Sequence, residues 1–189
     1  MVLVWGVFSV IGHEGSLGPL VRLSGALAPG RVVGEVALSP RIHSINDVGS
    51  LTGEQLGYSP YVSVTQEMIS SFADATGDHQ WIHVDPARAA TGPFGRTIAH
   101  GYLIVSLIPA LLNQVLEVEE PGTRINYGLN RVRFISPVPE GSDVRLSAII
   151  ASVQPASDGW QIVLDVTMEL RDAEKPACVA QVVYRWYPA

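Results

Sequence analysis

Thiol is almost missing from this chain: Cys178 is the one cysteine in 189 residues. An internal disulfide is therefore excluded, and the usage fits a reducing compartment. In the apolar stretch PACVAQVVYRW it reads as a small buried hydrophobe. Any run of lysine or arginine is missing too. Twelve basic residues against 18 acidic ones leave a net charge of −6, which argues against nucleic acid and anionic membrane surfaces as partners. A small polyanion stays compatible, because a few local arginines can hold one whatever the net charge. The opening MVLVWGVFSVI is too short an apolar run to cross a bilayer as a helix. It lacks the basic start of a secretory signal, and Glu14 and Arg22 interrupt the approach to the cleavage-like ALA at 26–28. Residues 1–40, with glycine and proline scattered through them, are expected to be an N-terminal extension, and the chain is expected in the cytoplasm. Repeats and low-complexity tracts are absent.

What is present is a globular composition, 47% hydrophobic and 16% charged, long enough for one domain over 41–189 with a substantial core. VTQEMISSFADATG reads as a helix with Thr65 as its N-cap and Glu67 in its first turn. Met68, Ile69 and Phe72 share one face, and Gly77 ends the helix in a left-handed cap. VDPARAA reads as a short helix capped by Asp85, with Pro86 first. Residues 100–116, HGYLIVSLIPALLNQVL, are apolar nearly all round, so the helix they predict has to be wrapped by something. Pro109 should kink it or mark its last regular turn. Four strand-like stretches follow, INYGLNRVRFIS, DVRLSAIIASVQ, WQIVLDVTMELRD and ACVAQVVYRWY, separated by turn-rich segments. One apolar helix followed by about four antiparallel strands predicts an α+β fold with a sheet curled round a helix.

Chemistry concentrates in GDHQWIH, residues 77–83. Three readings are open. Asp78 caps a turn while His83 bonds to backbone; His79 and His83 share a metal with Asp78 and Asp85, against which Gly77 and Pro86 argue by imposing irregular backbone; or Asp78 and His83 hold one water between them, base and acid near neutral pH. A second component is His100-Gly101 at the start of the apolar helix. Backbone N–H groups there are unpaired, and the missing side chain of Gly101 lets a ligand oxygen approach. Such an N–H stabilises an oxyanion.

FADATGDHQWIHVDPARAATGPFGRTIAHGYL resembles the hydratase motif of the MaoC-like, R-specific enoyl-CoA hydratase family. Phe72, Gly77, Asp78, Ile82, His83 and Ala89 stand at matching places, and the likeness runs on through LNRVRFISPVPEGS, covering residues 45–187. The resemblance implies a hotdog fold, an antiparallel sheet wrapped round a long central helix, and a homodimer. It implies reversible hydration of a trans-2-enoyl thioester, carried by coenzyme A or an acyl carrier protein, to the (3R)-3-hydroxyacyl product without cofactor or metal. Asp78 and His83 would then activate water, and the Gly101 N–H would polarise the thioester carbonyl. Gln80, Trp81, His100, Tyr127 and Asn130 are the expected substrate contacts, with Asn126 beside them. Arg131 and Arg133, alternating on one strand, are candidates for coenzyme A phosphates.

The chain departs from the motif where the family's Asn-Pro becomes Gln80-Trp81, exchanging proline's rigidity for bulk. A pocket serine carried by some members falls at Pro109. Two other functions fit the same fold. A thioesterase would usually place an acidic residue in the central helix, and none lies between His100 and Leu116. A non-catalytic acyl-thioester-binding subunit would bind without turnover.

Overall fold

The computed structural model describes residues 41–189 apart from residue 121; the predicted extension 1–40 lies outside the described residues. Four long strands carry the fold: β5 (Thr123–Phe134), β6 (Asp143–Ala156), β7 (Gly159–Leu170) and β8 (Cys178–Tyr187). They coincide with the four stretches that alternation marks out. Two short strands missed by the sequence reading, β2 (Gln55–Tyr58) and β3 (Val62–Ser63), both lie against β6. The sheet is antiparallel in the order β2-β6-β7-β8-β5, with β3 beside β2 on β6. A separate parallel pair joins β1 (Arg41–Ser44) to β4 (Glu117–Glu120).

Period-two alternation decides which face is buried. Leu146, Ala148 and Ile150 of β6, Ile162, Leu164, Val166 and Met168 of β7, and Cys178, Ala180, Val182, Tyr184 and Trp186 of β8 all turn inward. The helical segment lies against this face through Leu103, Ile104, Ile108, Leu111 and Leu112, in one continuous core. A sheet with a helix packed on it is the hotdog arrangement that was expected.

The helix itself differs from expectation. Instead of one element over 100–116 there are two, α4 (Gly101–Ser106) and α5 (Ile108–Leu112), divided at Leu107. Pro109 explains the break: it has no N–H for the Val105 carbonyl, and its ring crowds that oxygen, so the turn before it tightens. Burial is also less complete than an all-round apolar helix implies. Tyr102, Ser106, Ala110 and Asn113, a row three or four residues apart, face outward.

Candidate active site

The site is built on the stretch before α4. Helix α1 (Gln66–Thr76) starts where Thr65 accepts a hydrogen bond from the Met68 N–H (3.3 Å) and stops at Gly77, whose φ of 78° is left-handed. Both ends are as predicted. The chain then turns through 77–80 into α2 (Trp81–Val84) and α3 (Pro86–Ala89), the latter capped by Asp85, which accepts from the Arg88 N–H at 3.0 Å. This folds His83 inward, and it is buried.

One nitrogen of His83, Nδ1, is 2.7 Å from the Ile98 carbonyl. Only an N–H satisfies that oxygen, so in the neutral ring Nε2 keeps its lone pair. Burial holds this imidazole below its ordinary pKa; the bond to Ile98 opposes that effect, His100 adds to it, and Asp78 opposes it again. His100, also buried, stacks on His83 with ring centres 3.7 Å apart and 25° between planes, and Phe72 flanks its ring at 5.0 Å. Its Nε2–H donates to the Asp78 carbonyl (2.9 Å), while its Nδ1 is buried and has no hydrogen-bond partner. Ring nitrogens of His83 and His100 and a carboxylate oxygen of Asp78 lie within 4.8 Å of one another.

Three such groups are spaced to hold either a metal ion or a water between the carboxylate and a ring nitrogen, and a carbonyl on the other nitrogen of each imidazole fixes the ring's orientation in both cases.

His83 and Gly101 line one cavity of about 280 Å³, together with Ile98, Ile104, Phe134 and Val138. Asp78 is exposed and does not line that cavity. At the first position of α4, the Gly101 N–H makes no hydrogen bond among the described residues. A Cβ at Gly101 would stand 2.8 Å from the Phe134 ring, so a side chain here would have to displace that ring.

The other predicted contacts disperse. Gln80 is exposed, with its N–H 3.4 Å from the Asp78 carboxylate. Trp81 packs its indole on Gly92 and under the Arg88 guanidinium at 4.4 Å. Tyr127 belongs to a second cavity, with Arg185 over its ring at 4.6 Å. Asn130 bonds to Gln181 on the neighbouring strand (2.8 Å), and Arg131 pairs with Asp165 at 3.2 Å. Cys178 is buried as expected, and burial pushes its thiol up to about 11.

Two supporting residues were not anticipated. Gln66 donates to the His83 carbonyl (2.8 Å) and accepts from the Thr97 hydroxyl, joining α1 to the segment before α4. Phe134 closes over Gly101 from β5.

The family described as "MaoC like domain" matches residues 47–167. This chain belongs to it. As a MaoC-like protein it is 49% identical over 144 residues to 3-hydroxyacyl-thioester dehydratase Z of Mycobacterium tuberculosis, an alignment covering 76% of this chain and 95% of that protein. The (R)-specific enoyl-CoA hydratase of Aeromonas caviae is 35% identical over 86 residues, 46% of this chain and 61% of its own length. The solved (R)-hydratase of A. caviae involved in PHA biosynthesis superposes with a TM-score of 0.59 at 26% identity, covering 71% of this chain and 96% of that one. The sheet and helix of this MaoC-like chain are thus those of a hotdog fold.

Proposed function

We propose that this MaoC-like protein is a hydro-lyase that adds water reversibly across a trans-2-enoyl-CoA, giving the (3R)-3-hydroxyacyl-CoA. The observation that carries the reading is the tethered, buried His83, one ring nitrogen of which lies within 4.8 Å of an Asp78 carboxylate oxygen, sharing a cavity with the unpaired Gly101 N–H. In the forward direction the Asp78–His83 pair holds a water. A lone pair of that water bonds to C3 while the pair accepts one of its protons. The C2=C3 electrons move toward C1, and the Gly101 N–H stabilises the resulting enolate oxygen. The proton then returns from the pair to C2, so one water is added and the site is restored. His100 acts as a positioning residue, holding the Asp78 backbone and the face of His83. The relatives named dehydratase and hydratase support the same chemistry.

Residues 41–189 are read as the catalytic domain, acting in the cytoplasm as a homodimer paired along β5. Among the described residues no helix is long and apolar enough to cross a membrane.

Purified protein is expected to hydrate crotonyl-CoA, with Asp78→Asn and His83→Ala each lowering kcat by about 10²-fold or more. Full activity in both variants would refute the mechanism. Release of free thiol without hydration would indicate a thioesterase, and saturable binding without turnover a binding subunit.

A further inference from the structure

Two further cavities lie beyond the one at His83 and Gly101. A second, of about 350 Å³, lies farther along the helical segment and is lined by Val105, Ile108, Pro109, Leu129, Asn126 and Tyr184 among others. A third, of about 170 Å³, shares Pro109, Asn126 and Tyr184 with it and adds Leu112, Asn113 and Arg124. All three follow the β5 side of α4 and α5. At 1.5 Å per residue, Pro109 is about 12 Å and Asn113 about 18 Å beyond Gly101, measured along the helix. An acyl chain whose carbonyl sits at Gly101 would therefore first meet Val105, Ile108 and Leu129, and then a polar end.

That end is assembled by strand register. Arg124 pairs with Trp186 and Asn126 with Tyr184 across β5 and β8, which puts all four on the face turned to α5. The Arg124 guanidinium lies 5.0 Å over the Trp186 ring and donates to Asn113 Oδ1 at 2.6 Å. Part-buried though it is, no carboxylate among the described residues is within ion-pair distance of it. Charges withdrawn from water are normally paired, and the remaining donors of the planar fork are available to a ligand. The Tyr184 hydroxyl makes no hydrogen bond among the described residues, and burial pushes it up to about 12, so it stands at neutral pH as a protonated donor. The structural role of Arg124, fastening the end of α5 to the sheet, accounts for the Asn113 bond. It does not account for a cation and a phenol, both without a polar counterpart to their charge or hydroxyl among the described residues beyond Asn113, on the walls of one cavity.

We propose that this groove selects acyl thioesters whose far end carries a carboxylate or similar oxygen acceptor, bound by Arg124 with help from Asn126 and Tyr184. The inference rests on the hydratase reading and adds a substrate class to it. An apolar tail would strand these donors without partners, whereas an acceptor at that depth satisfies them.

The test compares kcat/KM for trans-2-tetradecenoyl-CoA, whose extended chain is long enough to run from Gly101 to Asn113, and for its counterpart ending in a carboxylate, trans-2-tetradecenedioyl-CoA. The wild-type chain is expected to favour the carboxylate by about tenfold or more. Arg124→Met should bring the ratio to about one, and Tyr184→Phe, which keeps the ring, should lower it. Because each ratio is taken within one protein, a partly unfolded preparation cancels out. A wild-type ratio near one, or a preference that survives Arg124→Met, overturns the proposal. The same pair is run as N-acetylcysteamine thioesters, which have no phosphates. If Arg124→Met slows both coenzyme A thioesters equally and neither N-acetylcysteamine thioester, Arg124 holds a coenzyme phosphate, and the proposal is likewise overturned. If crotonyl-CoA itself is not hydrated, the hydratase reading fails and this inference fails with it; if crotonyl-CoA turns over without tail preference, only the inference fails.

Discussion

His83 and His100 sit ring on ring, each with one nitrogen committed to a backbone carbonyl. This fixes what pH does to the site. Burial lowers the His83 pKa from its ordinary 6.5, so the base form persists into mildly acid solution. The acid limb of kcat/KM is expected to bend below pH 6.5 if the pair works with His83 neutral, and a limb at or above that value would contradict a neutral His83 in the pair. Stability has the same sign. Above pH 6.5 the ring is neutral whether the chain is folded or not, and it makes no pH-dependent contribution. As pH falls below 6.5 the unfolded chain takes up the proton first, so His83 makes the fold progressively less stable. Gly101 provides a second residue-scale prediction. In Gly101→Ala the new methyl meets the Phe134 ring at 2.8 Å, and whatever shifts to relieve the contact moves the N–H from its target. Activity should fall by about 10²–10³-fold, as when one oxyanion donor is removed, with a stability loss of about 1–3 kcal/mol from overpacking. Crotonyl-CoA kinetics and thermal unfolding measure the two effects separately.

Among elements, the short connection between α1 and α2 matters most, because Gly77 turns the chain that presents Asp78. Gly77 has φ of 78° with open space where a Cβ would stand, so Gly77→Ala introduces backbone strain and no clash. A loss of about 1 kcal/mol is expected in chemical denaturation, together with reduced kcat because Asp78 is the next residue. An unchanged kcat would show that the turn does not set the carboxylate. This connection was legible in the sequence for a physical reason: Thr65, Gly77, Asp85 and Pro86 act through local backbone geometry. Helix termination at Leu107 was less so, since Pro109 marks a disturbance without saying which turn absorbs it. Strands β1 to β4 were not legible at all. Each is two to four residues long, too short for alternation to register, and their partners are distant in sequence, Arg41 with Glu117 and Val62 with Val144. Gln66 escaped for the same reason: a glutamine in a first helical turn reads as solvated, and its bonds reach 17 and 31 residues ahead. Of the expected contacts, Trp81 and Asn130 were placed by motif position, which says nothing of Gly92 or Gln181 waiting beside them.

For the molecule as a whole the informative feature is the outer edge of β5. This strand has β8 on one side and no partner on the other among the described strands, and it exposes Ile125, Tyr127 and Leu129. A twelve-residue open edge with exposed apolar side chains is seldom left uncovered in a soluble protein. A second copy would satisfy it with a self-complementary, two-fold contact. Light scattering at micromolar concentration is expected to give twice the chain mass for the wild type and the chain mass for Leu129→Arg. A wild-type monomer would remove the dimer reading.

The order of the sheet also constrains how the chain is made. Among the described strands, β5, which brings Phe134 to Gly101, is joined to the rest of the sheet only through β8, whose residues 178–187 come more than forty positions later. A nascent chain can zip β6 to β7 early, as a local hairpin, while β5 and the segment carrying Gly101 stay undocked until β8 leaves the ribosome. The cleft at Gly101 is thus among the final things to take shape during biosynthesis, and a message cut short before codon 178 would leave β5 without the neighbour that docks it.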